Sequence, residues 1–297
     1  MNINITNPQK LLFTNPKITK ISLAEYYQKI AARMLPYVKN RLLSLICCPG
    51  GVSDSCFFKK HPVSGRSGRN TVPVSSSGGK ENTALPLKEY FYIKNVSDLI
   101  YEVQNNAIEF HIWGSLVKSL EKPDYMVFDL DPDAGMDLKT IRRGVKDLKN
   151  VLTELSLASY LKTSGGKGYH VVVPFKPSAD WEAFRAFAKS VAEYMEQKWP
   201  ERYTTNIRKE NRKGKIFIDW MRNIRAATSV APYSVRARDG AKVSMPIEWD
   251  ELDKITPDGA SMADAVKRLE GKDPWEGFYK ITNYKLQITN AAPRGDI

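Results

Sequence analysis

Two hydrophobic periods alternate along this 297-residue chain. In "ISLAEYYQKIAARMLPYV", apolar residues return at Leu23, Tyr26, Ile30 and Met34, which predicts an amphipathic helix, with Ser22 and Glu25 in capping-box spacing at its start. Between Asp137 and Leu155 the apolar positions are 138, 141, 145, 148, 152 and 155, so a second long helix lays one stripe on a sheet. "SDLIYEVQNN" and "WEAFRAFAKSVAEYMEQKW" read as further helices. Short apolar runs bounded by Gly, Pro or charge predict strands at "LLSLICC", "KEYFYIKN", "DYMVFDLD", "LASYLKT", "YHVVVPF" and "GKIFIDW". Strands and helices alternate but hairpin-like pairs intervene, so the fold class is mixed α/β, a mixed sheet with helices on its face.

Residues 62–83, rich in Ser, Gly and basic residues, read as an exposed mobile loop, and 281–297 as an appendage outside the core. Residues 1–280 are then one domain of two closely packed lobes. Lys and Arg outnumber Asp and Glu by 45 to 33, a net charge of +12, and 42% of the chain is apolar. That is enough for a core, and the charge points to an anionic partner. No signal peptide or membrane-spanning stretch is evident, so the expected setting is soluble and intracellular. Cys47, Cys48 and Cys56 are odd in number and crowded together, which argues for reduced, partly buried thiols rather than a disulfide framework. Cys48, Cys56 and His61 could ligate zinc, but a fourth ligand is missing.

The chemistry begins at "VFDLDPD", 127–133. On a strand, Asp129 and Asp131 share one face while Leu130 turns to the other. Paired carboxylates there suit a solvated turn, a retained proton or a bound divalent cation. Ala134 and Thr140 stand where an EF-hand needs Gly and Glu, which excludes that motif. Asp219 ends another apolar strand and would complete an oxygen-rich cage for Mg²⁺ or Mn²⁺; a lone buried Asp bonded to backbone is the duller alternative. From 201 to 240 there are ten basic residues against four acids, and Arg222 lies three residues past Asp219. "TSGGKGYH" offers a glycine turn whose backbone N–H groups could cradle phosphate, with Ser164, Lys167 and His170 as side-chain donors. It is not a Walker A loop, because it opens a strand instead of a helix.

"VFDLDPD", "TSGGKGYHVVVP" and "GKIFIDWMRN", in this order, resemble the archaeo-eukaryotic primase superfamily, and most closely the polymerase domain of the bacterial end-joining enzyme ligase D and its freestanding bacterial and archaeal relatives. "NPQKLLF", "CFFKKH", "HIWGS", "YSVRAR", "VSMPIEWDEL" and "DPWEGF" extend the likeness over most of residues 5–278. The resemblance implies an RNA-recognition-like mixed sheet and a DNA-dependent nucleotidyltransferase that fills gaps and extends ends, NTPs preferred over dNTPs, during non-homologous end joining. It implies two divalent ions, Mn²⁺ or Mg²⁺, on Asp129, Asp131 and Asp219. His111, Ser164, Lys167, His170, Arg222 and Arg236 match nucleotide-binding positions. Lys10 and Lys20 match lysines that grip the 5′-phosphate of a gap or break, and Phe57 and Phe58 match aromatics that stack on the template. The implied partners are broken or gapped DNA, Ku and a DNA ligase, in a nucleoid-associated, prokaryotic cytoplasmic setting with no membrane. Cys47 stands where relatives often carry Arg, weakening a nucleotide or template contact, and Ile112 stands where they often carry Pro, changing a turn. No ligase nucleophile motif or nuclease module is seen. A metal-dependent nuclease or phosphatase, and a non-catalytic DNA-end-binding module, remain the rival classes.

Overall fold

The predicted periods become elements where expected. A computed structural model describes residues 4–62, 70–75 and 87–280. The 281–297 tail lies outside the described residues, as does most of the expected loop at 62–83. Within that loop, however, Thr71–Val74 is a strand paired antiparallel with Lys88–Phe91, and Val74 is buried. Val72 and Val74 alternate with Thr71 and Pro73 in this strand; the surrounding Ser and Gly content hid it.

The described chain divides into two compact units. The first takes residues 1–118, 228–245 and 259–273. Its longest helix, Lys20–Val38, buries Leu23, Tyr26, Ile30 and Met34 as the pattern predicts. The cap differs: Thr19 accepts from the Ser22 backbone N–H, so the helix begins before Ser22 and Glu25 takes no capping-box role. Thr19 wins because its hydroxyl already faces the first-turn amides, while the Ser22 hydroxyl is bonded back to it at 2.8 Å. A four-stranded sheet centres on Arg41–Cys47 and Ala107–Leu116, flanked by Phe57–Lys59 and Thr228–Val230. Ile112 sits inside Ala107–Leu116, 3% exposed and opposite both Leu43 and Ser229, so it belongs to a central strand and not to a turn.

The odd-cysteine argument fails here. Antiparallel pairing sets Cys47 opposite Phe57, and one step further brings Cys48 and Cys56 face to face. They form a disulfide of 2.06 Å, with Cα atoms 4.3 Å apart. Register, which counting does not reveal, made the pair, and it removes both thiolates from any zinc site. Cys47 is left free and buried, its thiol pushed up to about 11 by burial.

The second unit takes, of the described residues, 119–227, 246–258 and 274–280. Six strands lie in the order Tyr203–Thr204, Ile216–Asp219, Tyr125–Pro132, Tyr169–Pro174, Tyr160–Thr163 and Pro246–Ile247. Only the first pair is parallel. Helix Leu138–Glu154, capped by Asp137, buries Ile141, Val145, Leu148 and Leu152. Gly144 of this helix lies against Ile216, Tyr203 and Leu130, which fixes the sheet face it covers. Alternation then sends Asp129, Asp131 and Asp219 to the opposite face.

Candidate active site

Register builds the acidic cluster. Asp219 pairs with Asp129 across adjacent antiparallel strands, and Asp131 is two residues along from Asp129 on the same face. One carboxylate oxygen from each of the three lies within 4.8 Å of the others. Asp129 is 7% exposed, whereas Asp131 is exposed and Asp219 intermediate. Burial, and next the Asp131 charge, push the Asp129 carboxyl up to about 7 against the pull of Arg222. Burial raises Asp219 in the same direction. A set of crowded, partly dry carboxylates is unfavourable alone and suited to a hard divalent cation. Arg222 answers part of that charge, its Nε 3.0 Å from Asp219 and 3.4 Å from Asp129. His170 Nε2 lies 3.4 Å from the other Asp129 oxygen.

The third acid of "VFDLDPD" has a different task. Asp133 accepts from the Ala134 and Gly214 amides, at 2.8 Å each, and so ties the turn after its strand to the loop that leads into Ile216–Asp219. Asp219 also caps locally, accepting from the Met221 N–H at 3.0 Å.

The glycine turn is built differently from a bare amide cradle. Gly165 N–H donates to the Pro257 carbonyl, and the Gly166 and Gly168 N–H groups both point at Ser164 Oγ, at 3.2 and 3.3 Å. Three of the amides expected to receive an anion are therefore engaged within the protein, and an oxygen of Ser164 occupies the point where two converge. Gly168 is required for another reason: a Cβ there would lie 2.3 Å from the Leu130 carbonyl oxygen. The turn is thus pressed against the strand that carries Asp129 and Asp131.

Ser164, Lys167, His170 and Arg222 accordingly belong to the same unit as the acids. His111 and Arg236 belong to the first unit, where both meet Glu109, a residue the sequence gave no reason to single out. Glu109 is 2% exposed; its Oε1 lies 2.7 Å from His111 Nε2 and 2.9 Å from Arg236 Nε, and its Oε2 accepts from Ala237 N–H at 2.8 Å. Burial alone would raise this carboxyl, but the His111 hydrogen bond and the Arg236 charge outweigh it and bring it to about 2. An acid two residues before a histidine on a strand shares its face, but that spacing alone does not say what the pair meets.

Lys10 and Lys20 are neighbours, the Lys20 N–H donating to the Lys10 carbonyl at 2.8 Å. Burial, with the Lys10 charge, lowers Lys20 from the ordinary lysine value. Phe57 and Phe58 are 50% and 60% exposed, which rejects ordinary core as their role, and the Phe58 ring meets His111 edge-on at 5.9 Å. Gly51 packs on the strand after Lys10, its would-be Cβ 3.1 Å from the Leu11 carbonyl, and Val52 N–H donates to Leu12. The aromatic hairpin and the lysine pair therefore share one support.

A carboxylate triad on a mostly antiparallel sheet, with an arginine and an imidazole against it and a serine-centred glycine turn beside it, is the set of groups that the resemblance to the primase-polymerase class implies. The chain belongs to the family described as LigD, primase-polymerase domain, whose description matches residues 19–275. It is similar to the multifunctional non-homologous end joining protein LigD of Pseudomonas aeruginosa, 35% identical over 93% of this chain and 33% of that protein. It is also similar to the bifunctional non-homologous end joining protein LigD of Bacillus subtilis, 27% identical over 94% of this chain and 44% of that protein. The chain thus spans a third to under half the length of these relatives. Among solved structures it resembles the polymerase domain of Mycobacterium tuberculosis ligase D in complex with DNA, with a TM-score of 0.85, 26% identity, and coverage of 95% of this chain and 99% of that one. No helix among the described residues is long and apolar enough to cross a membrane.

Proposed function

We propose that this chain is a DNA-dependent polymerase of double-strand break repair, which fills gaps and extends ends with NTPs in preference to dNTPs. The observation that carries this reading is the gathering of Asp129, Asp131 and Asp219 oxygens within 4.8 Å, with Arg222 and His170 against them. The three aspartates would hold two divalent ions, Mn²⁺ favoured over Mg²⁺. When bound, such ions activate an attacking hydroxyl and neutralise charge on the transferring phosphate. The protein's own part is to place and balance charge. Arg222, Lys167, His170 and Ser164 hold the triphosphate, while His111 and Arg236 engage the nucleotide. The primer 3′-oxygen bonds to the α-phosphorus, the bond to the bridging oxygen breaks, and pyrophosphate leaves.

Lys10 and Lys20 would grip the 5′-phosphate across a gap, and exposed Phe57 and Phe58 would stack on template bases. Ku and a DNA ligase are the expected partners, on the chromosome in the cytoplasm. The test is primer extension on a 5′-phosphorylated gapped duplex, comparing NTPs with dNTPs and Mn²⁺ with Mg²⁺. Asp129→Ala should lose incorporation by a factor of about 10³ or more, the scale of a lost charge-stabilising group. Undiminished incorporation in that variant, or strand cleavage in place of pyrophosphate release, overturns the reading.

A further inference from the structure

The acidic cluster is one end of a longer row. Asp219 pairs with Asp129, Asp129 with His170, and His170 with Lys162, each across adjacent antiparallel strands. Directly opposed residues on antiparallel strands project from the same face. Four side chains therefore run across one face of the sheet, from two carboxylates through an imidazole to an ammonium. Strand spacing puts the Lys162 backbone about 10 Å from that of Asp129.

Lys162 is 1% exposed, in a strand whose next residue, Thr163, leads straight into the Ser164 turn. A charge at that depth is screened far less by solvent than one at the surface. The row places that charge one strand from His170 and two strands from Asp129. A nucleoside triphosphate carrying its metal is itself polarised, cation toward the carboxylates and polyanion beyond them. The row has the complementary order.

We propose that Lys162 is the buried cation that sets the affinity of the site for the polyanionic part of the nucleotide, acting through its field along the sheet. This rests on the polymerase reading above and adds to it a residue outside the glycine turn and the basic loops. The role is electrostatic positioning of substrate. It makes a prediction of opposite signs, because a buried positive charge attracts the triphosphate and repels a bare cation.

The experiment compares wild type with Lys162→Met, which keeps the apolar stem, and Lys162→Arg, which keeps the charge. Mn²⁺ alone is titrated into ligand-free protein and followed by electron paramagnetic resonance. ATP is titrated at saturating Mn²⁺ by calorimetry. For Lys162→Met, ATP should bind about tenfold more weakly and Mn²⁺ alone several-fold more tightly, as a unit charge at this range in partly dry protein requires. Lys162→Arg should stay within about twofold of wild type in both. If Lys162→Met does not fold, Lys162→Gln carries the same expectations. Weakening of both ligands together, which a merely structural role would cause, or an unchanged ATP affinity, overturns the proposal. Both measurements are of binding, so they stand apart from the Asp129→Ala extension assay: loss of the polymerase reading would appear there, and loss of this one here.

Discussion

At the scale of single residues, Asp129 shows how a site is bought against stability. Its carboxyl is raised to about 7, first by burial and then by Asp131. In the unfolded chain the same group titrates near its ordinary value of about 4. The folded state therefore binds the proton more tightly, so this contribution to stability is full below about pH 4 and is lost as pH rises through about 7. Above that, the metal-free protein holds a charge it would rather neutralise. Asp129→Asn should accordingly raise the melting temperature of metal-free protein at pH 8, by roughly 1–3 kcal/mol in stability, while the advantage should shrink toward pH 4. Added Mn²⁺ should stabilise wild type and do much less for the variant. Thermal melts across pH with a chelator present are the check, and a variant less stable than wild type at pH 8 would mean that Asp129 is held by something other than burial and repulsion. Such residues were legible in sequence because acids at the end of an apolar strand have few structural uses. Glu109 and Lys162 were not, since each looks like ordinary strand polarity until register shows what it faces.

Elements explain the other half of what sequence could and could not show. The helix 138–154 was readable from its stripe alone, since periodicity of 3.6 over several turns has no competing explanation. The Thr71–Val74 strand, the Thr19 cap and the Cys48–Cys56 bond each depend on a neighbour distant in sequence or on pairing register, and no window carries that information. The disulfide has the clearest consequence. It closes the neck of a hairpin, eight residues from Cys48 to Cys56, immediately before the exposed Phe57 and Phe58. Loop closure of that length is worth about 2–3 kcal/mol in the chain-entropy account. Reductant should lower the melting temperature of wild type by several degrees, and Cys56→Ser should melt at that reduced value whether or not reductant is present. The aromatic pair should also hold gapped DNA less well once its hairpin is untied. Identical melts of wild type with and without reductant would show that the two sulfurs are not joined in solution.

At the scale of the whole molecule, the excess of 45 basic over 33 acidic residues requires an explanation that the aspartate cluster cannot supply, because that cluster is acidic. Binding to a nucleic-acid backbone, as proposed above, would supply it, and would have a quantitative signature. Each phosphate neutralised releases counterions, so the logarithm of affinity falls linearly with the logarithm of salt, by about 0.9 per contact. Lys10 and Lys20 are neighbours, and the lowering of Lys20 by burial and by Lys10 describes a pair of cations that a phosphate would relieve. A 5′-phosphorylated gapped duplex should therefore bind this protein more tightly than its 5′-hydroxyl counterpart, with a steeper salt dependence. Lys10→Ala and Lys20→Ala should each reduce the slope by about one and abolish most of the preference for the 5′-phosphate. A lysine distant from DNA would change neither quantity, and a lysine that only supports the fold would weaken both duplexes alike without altering the slope. Fluorescence anisotropy over 50–300 mM salt separates these cases. The positive charge is a backbone-binding surface if the slope is steep and the two lysines account for the difference between the duplexes. A slope near zero in wild type would leave the charge without that use, and with it the view that this chain works on DNA ends.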